Sequence, residues 1–342
     1  MAHATKETMT ENTVSIAARG EEFRDDVRKR LPADVLARFT RISPARSTLA
    51  IAQTLALLAL LIAAGIEWWH PLALVPIVIL IGMQQHAMFV LAHDAAHYRL
   101  YGTRWLNDLV GRAVGTVAGV SMCSYRVIHR LHHNHLYKEQ DPDTALHGGY
   151  PRGKAYLWRK IATDLSGLTA WKTYAYFFGA PALNIQTGTA QRPLDDTSPK
   201  LRMDARNDRR TVILFHVSAP VVAFASGWGV EYLVLWLLPL VTVIQAILRV
   251  RAICEHGAVA DLSSPLTAAR TNIANLPMRA LLFPHHVNYH IEHHLYPAVP
   301  HYFLPALHAE LVRYGILDGA EVIPVSRTLG KIFARRGFTD SA

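Results

Sequence analysis

The chain has 342 residues, of which 51% are hydrophobic and only 18% charged, well under the roughly 25% charged share of an ordinary soluble fold. Its net charge is +9 with 19 histidines, yet no groove-reading motif accompanies the basic balance, which argues against nucleic acid as the partner. The two cysteines, Cys123 and Cys254, are far apart in sequence and form no CxxC, so neither a disulfide framework nor a structural zinc site is implied.

In chain order, residues 1–46 are polar and mixed in charge and read as a cytoplasmic N-terminal segment. Ser47 to Ile66 is an uncharged run long enough to cross a hydrocarbon core at 1.5 Å per residue, and Pro71 to Ala92 is a second. The corner between them carries Trp68 and Trp69, which suit a membrane interface, so the two runs predict a hairpin of spans 47–66 and 71–92. Residues 105–123 are apolar but carry Asp108 and Arg112, four apart and able to pair, and read as an interfacial or re-entrant helix. Residues 184–210 read as an exposed loop. Spans 211–226 and 232–248 form a second predicted hairpin, in which Pro220 and Pro239 are tolerable. Residues 311–342 remain as a C-terminal tail after a catalytic domain over 47–310.

Charge fixes the expected topology. Segments 1–46, 93–210 and 249–342 hold 9, 17 and 9 of the 35 Lys+Arg, so both hairpin tips have none. The positive-inside rule places both termini and the central segment in the cytoplasm. The fold class expected is therefore an all-α integral membrane protein, four transmembrane helices in two hairpins beneath a cytoplasmic helical cap.

Three histidine clusters lie at that cytoplasmic boundary: His93 and His97; His129, His132 and His133; His290, His293 and His294. Positions i, i+3 and i+4 share a helix face, so each cluster is expected to aim its imidazoles at one point. A ninth candidate, His256, follows the fourth span. Eight or nine imidazoles exceed the four ligands of a zinc ion and suit two metals, with iron, copper, zinc and nickel all compatible. Beside a bilayer, an all-nitrogen two-metal site points to dioxygen activation at iron. Asp94, Glu255, Glu292, Asp141 and Asp143 are expected either to hold ligand imidazoles or to be solvated charges. His86, with Gln84 and Gln85 in the second span and Gln245 in the fourth, is expected beside the ligands or along a substrate tunnel. His135, His147, His285, His301 and His308 read as non-ligands, and His286, one turn before His290, as the possible exception. His3, His70 and His216 stand alone.

These residues resemble the membrane fatty acid desaturase family: His93–His97 (HDAAH), His129–His133 followed by Asp141-Pro142-Asp143, and His290–Pro297 (HIEHHLYP). The likeness runs over about residues 45–310, with His256 similar to the isolated ligand between the second and third boxes. The resemblance implies a four-span fold, a cap holding two Fe ions, and His93, His97, His129, His132, His133, His256, His290, His293 and His294 as ligands. Some members use an asparagine one turn before the isolated histidine to hold a water; that position is Ala252 here, with Asn288 or His286 as substitutes. The family includes desaturases, hydroxylases and carotenoid ketolases. The expected activity is desaturation of a lipid's acyl chains with O2, or else hydroxylation or ketolation on the same scaffold. Two cysteines cannot hold an iron–sulfur cluster and no HPGG haem motif is present, so a separate ferredoxin-like or cytochrome b5-like donor is expected. A metal transporter would need ligands along a path through the bilayer, which these clusters do not form.

Overall fold

The computed structural model describes residues 26–334 apart from 185–187, 196, 260 and 263; residues 1–25 and 335–342, the far ends of the two expected terminal segments, lie outside it. The described chain is mostly helical. Its elements are α1 Ala33–Phe39, α2 Pro44–Glu67, α3 Pro71–Ala96, α4 Arg104–Val117, α5 Met122–His135, α6 Thr144–His147, α7 Lys154–Leu165, α8 Ala170–Phe177, β1 Ala182–Leu183, β2 Ala190–Gln191 and α9 Pro199–Ala225. A broken helix α10 over Gly229–His256 follows, then β3 Thr271–Ile273, α11 Leu276–Leu282, α12 His290–Leu295, α13 Leu304–Arg313, β4 Val322–Pro324 and α14 Val325–Phe333.

Among the described residues, three helices are long and apolar enough to cross a membrane: α2, α3 and α10. Both helices of the first hairpin start by the same local device. Ser43 Oγ accepts from the Arg46 N–H and His70 Nδ1 from the Leu72 N–H, and each cap is followed by a proline, whose missing N–H costs nothing there. The α2–α3 pair seals itself with Leu58, Ile77, Ile81 and, from α10, Leu235. Gly65 is needed at this contact, since a Cβ there would come within 2.6 Å of the Leu235 side chain.

The second hairpin departs from expectation at its first arm. Thr211–Ser226 falls in the C-terminal part of α9, whose first turns carry Lys200, Arg202, Arg206, Arg209 and Arg210. The later part still presents Leu214, Val217, Val221 and Val222 outward. Helix α10 includes a π-helical turn at Leu233–Leu237 and a break at Thr242, where φ/ψ is −123/−75. Such a break frees backbone groups that an apolar surrounding cannot satisfy. The Leu240 carbonyl is accordingly taken by the Tyr174 hydroxyl at 2.9 Å and the Gln245 amide at 2.8 Å.

The expected single helix over 105–123 is corrected: α4 ends at Val117, the chain turns at Gly119 (φ +76), and α5 begins at Met122. The expected Asp108–Arg112 pair is also replaced. Asp108 binds Arg126 at 2.6 Å and Arg112 binds Asp208 at 2.9 Å, because both side chains point off α4 toward neighbouring helices.

A separate core joins the two ends of the described chain. Val27, Leu31 and Val35 pack with Ile291, Leu295, Leu304, Leu307, Leu311 and Ile316, so chain from both ends clamps the segment bearing the third histidine box. A short parallel pair, Thr271 to Val322 through Ile273 to Pro324, ties the region after α10 to the C-terminal part.

Candidate metal centre

Three helix ends and one short helix deliver the histidines. Helix α3 continues past the expected end of the second span and carries His93 in its last turn, with His97 as its C-terminal cap. Helix α5 brings His129, His132 and His133, α10 ends on His256, and α12 carries His290, His293 and His294. Eight of these nine are buried and His97 is partly so.

They form two groups rather than one per box. His93, His97, His129, His133 and His293 make the first, and His132, His256, His290 and His294 the second; within each, one potential ligand atom per residue lies within 4.8 Å of the others. The expectation that each box aims at one point is therefore corrected. At about 100° per residue, i and i+4 stand roughly 40° apart while i+3 falls some 60° to the other side. In α5 the i, i+4 pair goes to the first group and His132 to the second; in α12 the i, i+4 pair goes to the second and His293 to the first.

Within the groups the Nε2 atoms converge. His133 Nε2 lies 2.9 Å from that of His129 and 3.0 Å from that of His293. In the second group His256 Nε2 is 3.1 Å from that of His132 and 2.7 Å from that of His290, with His294 to His290 at 3.2 Å. Several outward nitrogens are held by the protein. His93 Nδ1 lies 3.4 Å from the Asp94 carboxylate without a hydrogen bond, whereas His132 Nδ1 faces Asp141 at 3.0 Å and His256 Nδ1 the Ala268 carbonyl at 3.2 Å. Such contacts select the tautomer that leaves Nε2 as the inward lone pair, as metal-binding histidines require. Burial holds His129, His133, His290, His293 and His294 well below the usual imidazole pKa, so they are neutral. At His132 burial acts the same way, but Asp141 and Asp143 outweigh it and raise the group to about 9. That carboxylate pair favours positive charge at this imidazole, whether from a proton or from a metal.

The remaining expected residues divide. Asp94 joins His93 to His301, accepting from His301 Nδ1 at 2.8 Å and its N–H at 3.1 Å. Glu255 pairs with Arg251 at 2.7 Å and lies 3.7 Å from His290 Nδ1. Glu292 instead faces Thr271 and His308, both at 2.5 Å, so it braces α12 against β3 and α13. Asn288 donates to the Asn272 carbonyl at 3.1 Å, and His286 faces Arg279 at 2.8 Å; neither joins a group.

A cavity of about 540 Å³ opens beside the histidines, lined by Phe89, Tyr125, Phe177, Leu248, Gln245 and Ala252 among others, with His132, His256 and His290 of the second group and His129 of the first on its wall. Gln245 thus lies where a tunnel was expected. His86 and Gln84 do not line it: His86 is fully buried, 3.3 Å from Arg251, and Gln84 is only partly covered. Three contributors escaped the sequence reading. His301 has no spacing signal and holds Asp94. Arg270 sits in a loop and His147 in a single-turn helix, where no periodicity marks them.

Nine converging imidazoles on four helical segments match a known family model. The model described as fatty acid desaturase covers residues 66–316. This chain belongs to the fatty acid desaturase family. Among its relatives, dihydrorhizobitoxine desaturase of Bradyrhizobium elkanii is 27% identical over 70% of this chain and 67% of its own length. The sn-1 oleoyl-lipid 12-desaturase of a Synechocystis species is 27% identical over 65% of this chain and 64% of its own. The β-carotene ketolase of a Paracoccus species is 27% identical over 64% of this chain and 72% of its own. This member of the desaturase family therefore spans about two thirds of the length of these relatives, which differ among themselves in what they act on.

Proposed function

We propose that this protein is a membrane-bound, dioxygen-dependent oxidoreductase that holds two iron ions in its two histidine groups and desaturates acyl chains of a lipid. The observation that carries the reading is the convergence of Nε2 atoms in two adjacent buried groups, both of which reach the wall of a cavity. The donor set suits the metal: neutral imidazoles with outward nitrogens held by carboxylates and a carbonyl fit iron. Buried His93 and His97 Nε2 atoms have no hydrogen-bond partner, as expected of atoms reserved for a metal. His93, His97, His129, His133 and His293 would hold one ion, and His132, His256, His290 and His294 the other. The chemistry that such a pair supplies is activation of dioxygen toward an unactivated C–H bond.

The protein's own part is positioning. Asp141 orients His132, Asp94 and Glu255 set negative charge beside His93 and His290, and Phe89, Tyr125, Phe177 and Leu248 give the cavity an apolar wall for a hydrocarbon. The charge asymmetry supports four spans in two hairpins, with the apolar half of α9 as the third, and with both termini and the metal centre cytoplasmic. A separate acidic electron carrier, ferredoxin-like or cytochrome b5-like, fits the basic face. Hydroxylation or ketolation on the same scaffold is the second reading, favoured by the likeness to the ketolase over most of that relative's length. Lipid mass spectrometry of cells with and without the gene tests both. Products lighter by two hydrogens support desaturation, products gaining oxygen support the second reading, and an unchanged lipid profile overturns both.

A further inference from the structure

The two histidine groups are unequal, five imidazoles against four. A tenth histidine stands beside the smaller one. His147 ends the single-turn helix α6 and is 1% exposed, on the wall of the same cavity as His132, His256 and His290. Its ring centroid is 5.0 Å from that of His256 and 5.8 Å from that of His132. Ring spacings inside the first group cover the same range, from 4.5 Å for His93–His129 to 5.9 Å for His129–His293.

A histidine buried for packing alone normally has a hydrogen-bond partner, because an unpaired buried nitrogen costs about 1–3 kcal/mol. Neither ring nitrogen of His147 has one. The nearest carboxylate, Asp141, lies 3.8 Å from Nε2, beyond hydrogen-bond reach, and is already engaged by His132 and by the Tyr137 and Asp143 N–H groups. Ligand atoms of His132, Asp141 and His147 lie within 4.8 Å of one another, a set that shares His132 with the second group but leaves His147 outside it, so the ring has to turn from Asp141 to join that group. On the same wall Ala252, one turn before His256, offers only a methyl group. The position is also suited to movement. Helix α6 is four residues long, and no side-chain hydrogen bond has to break for the ring to turn toward the group.

We infer that His147 is the fifth metal-binding imidazole of the second group. The inference rests on the two-metal reading above and adds a residue to it. Ten imidazoles then divide equally, and the added one approaches from the cavity side, where substrate would lie.

The test is metal affinity by chelator competition on purified full-length protein, loaded with Fe2+ and, separately, with Co2+. Wild type should bind two ions. His147→Leu should keep the first ion and bind the second about 10–100-fold more weakly, the loss seen when even an outer partner of a ligand is removed. The Co2+ absorption bands of the second site should change with it. His147→Ala should show the same loss, and added imidazole should restore the second ion. If wild type binds two ions and both variants bind two as tightly, the inference fails and the two-metal reading stands. If wild type binds fewer than two, both fail. Should the leucine variant not insert, the alanine variant with and without imidazole decides, and weak binding without rescue counts against His147 as a ligand.

Discussion

Arg270→Ala should weaken the fold and the second metal position together. Arg270 is fully buried, and its guanidinium wraps the end of α10 just after His256. It donates to the Cys254, Gly257 and Ala258 carbonyls, each at 3.0 Å, and to Glu321 at 3.1 Å, while its own N–H reaches the Glu255 carbonyl at 2.8 Å. Not all of this is lost on truncation. The Cys254 carbonyl keeps Asn272 at 3.1 Å, and Glu321 keeps Lys331 at 2.5 Å. Two carbonyls are left, Gly257 and Ala258; at about 1–3 kcal/mol for each orphaned group, and with Ala258 only part-buried, roughly 3 kcal/mol is expected. At about 2 °C per kcal/mol for a chain of this size that is a fall in Tm near 6 °C. Arg270 also stands two residues after Ala268, whose carbonyl orients His256, so loosening Arg270 loosens that contact. Thermal unfolding in detergent and iron per chain are the assays. A variant that melts within about 1 °C of wild type and keeps both ions refutes the view that this clamp holds His256 in place.

His256→Ala should lower iron content and abolish turnover while the protein stays membrane-inserted, whereas His216→Ala, whose ring reaches only the Thr116 carbonyl at 2.8 Å, should remain largely active. Equal iron and activity in the two variants would remove His256 from the ligand set. Asp141→Asn should weaken the second ion about 10–100-fold, since it removes the carboxylate that holds His132 at 3.0 Å; unchanged chelator titrations would contradict that. Cysteines introduced at Gly229 and Ser198 should label from opposite sides of the membrane, and labelling from one side would sink the two-hairpin topology. Acidification below about pH 6.5 should release metal and destabilise the fold. The imidazoles of His129, His133, His290, His293 and His294 have native pKa values below that of the unfolded chain, so the unfolded state binds more protons and stability falls as pH falls. Metal content and Tm followed from pH 8 to pH 5 check it, and a flat profile would refute the assignment of neutral imidazoles.

What could be read from the sequence is what repeats with a period. Uncharged runs located α2, α3 and α10 because burial and bilayer contact both demand continuous apolar stretches, and the i, i+3, i+4 spacing marked the boxes. The first arm of the expected second hairpin carries a weaker signal, since α9 starts in a charged stretch and turns apolar without a break in its helix. The break in α10 at Thr242 left no signal beyond Pro239, because its cause is tertiary: Tyr174 and Gln245 offer a better partner to the Leu240 carbonyl than the helix does. Asp94 could be read as either a holder of imidazoles or a solvated charge, and its partner His301 is adjacent only through folding. Arg270 and His147 are single residues, one in a loop and one in a single-turn helix, and only the carbonyls and rings around them give them meaning.

The division of the boxes says why their spacing is what it is. A pair at i and i+4 alone would serve one metal, and the added i+3 histidine turns toward the other side of the same helix. In α5 and α12 that extra histidine is given to opposite groups, His132 to the second and His293 to the first. Each metal position is therefore assembled from both helices, and neither can form unless α5 and α12 are docked against each other. His133 and His294, stacked at 4.2 Å between ring centroids, mark where the two groups meet. The terminal segments that clamp α12, from Val27 to Val35 and from Leu304 to Ile316, are then part of how the centre is built, although they carry none of the nine histidines. A helix shift of one residue in either α5 or α12 would rotate its histidines by about 100° and take imidazoles from both groups at once. The arrangement makes the two histidine groups a single unit, set by the docking of two helices rather than by either box alone.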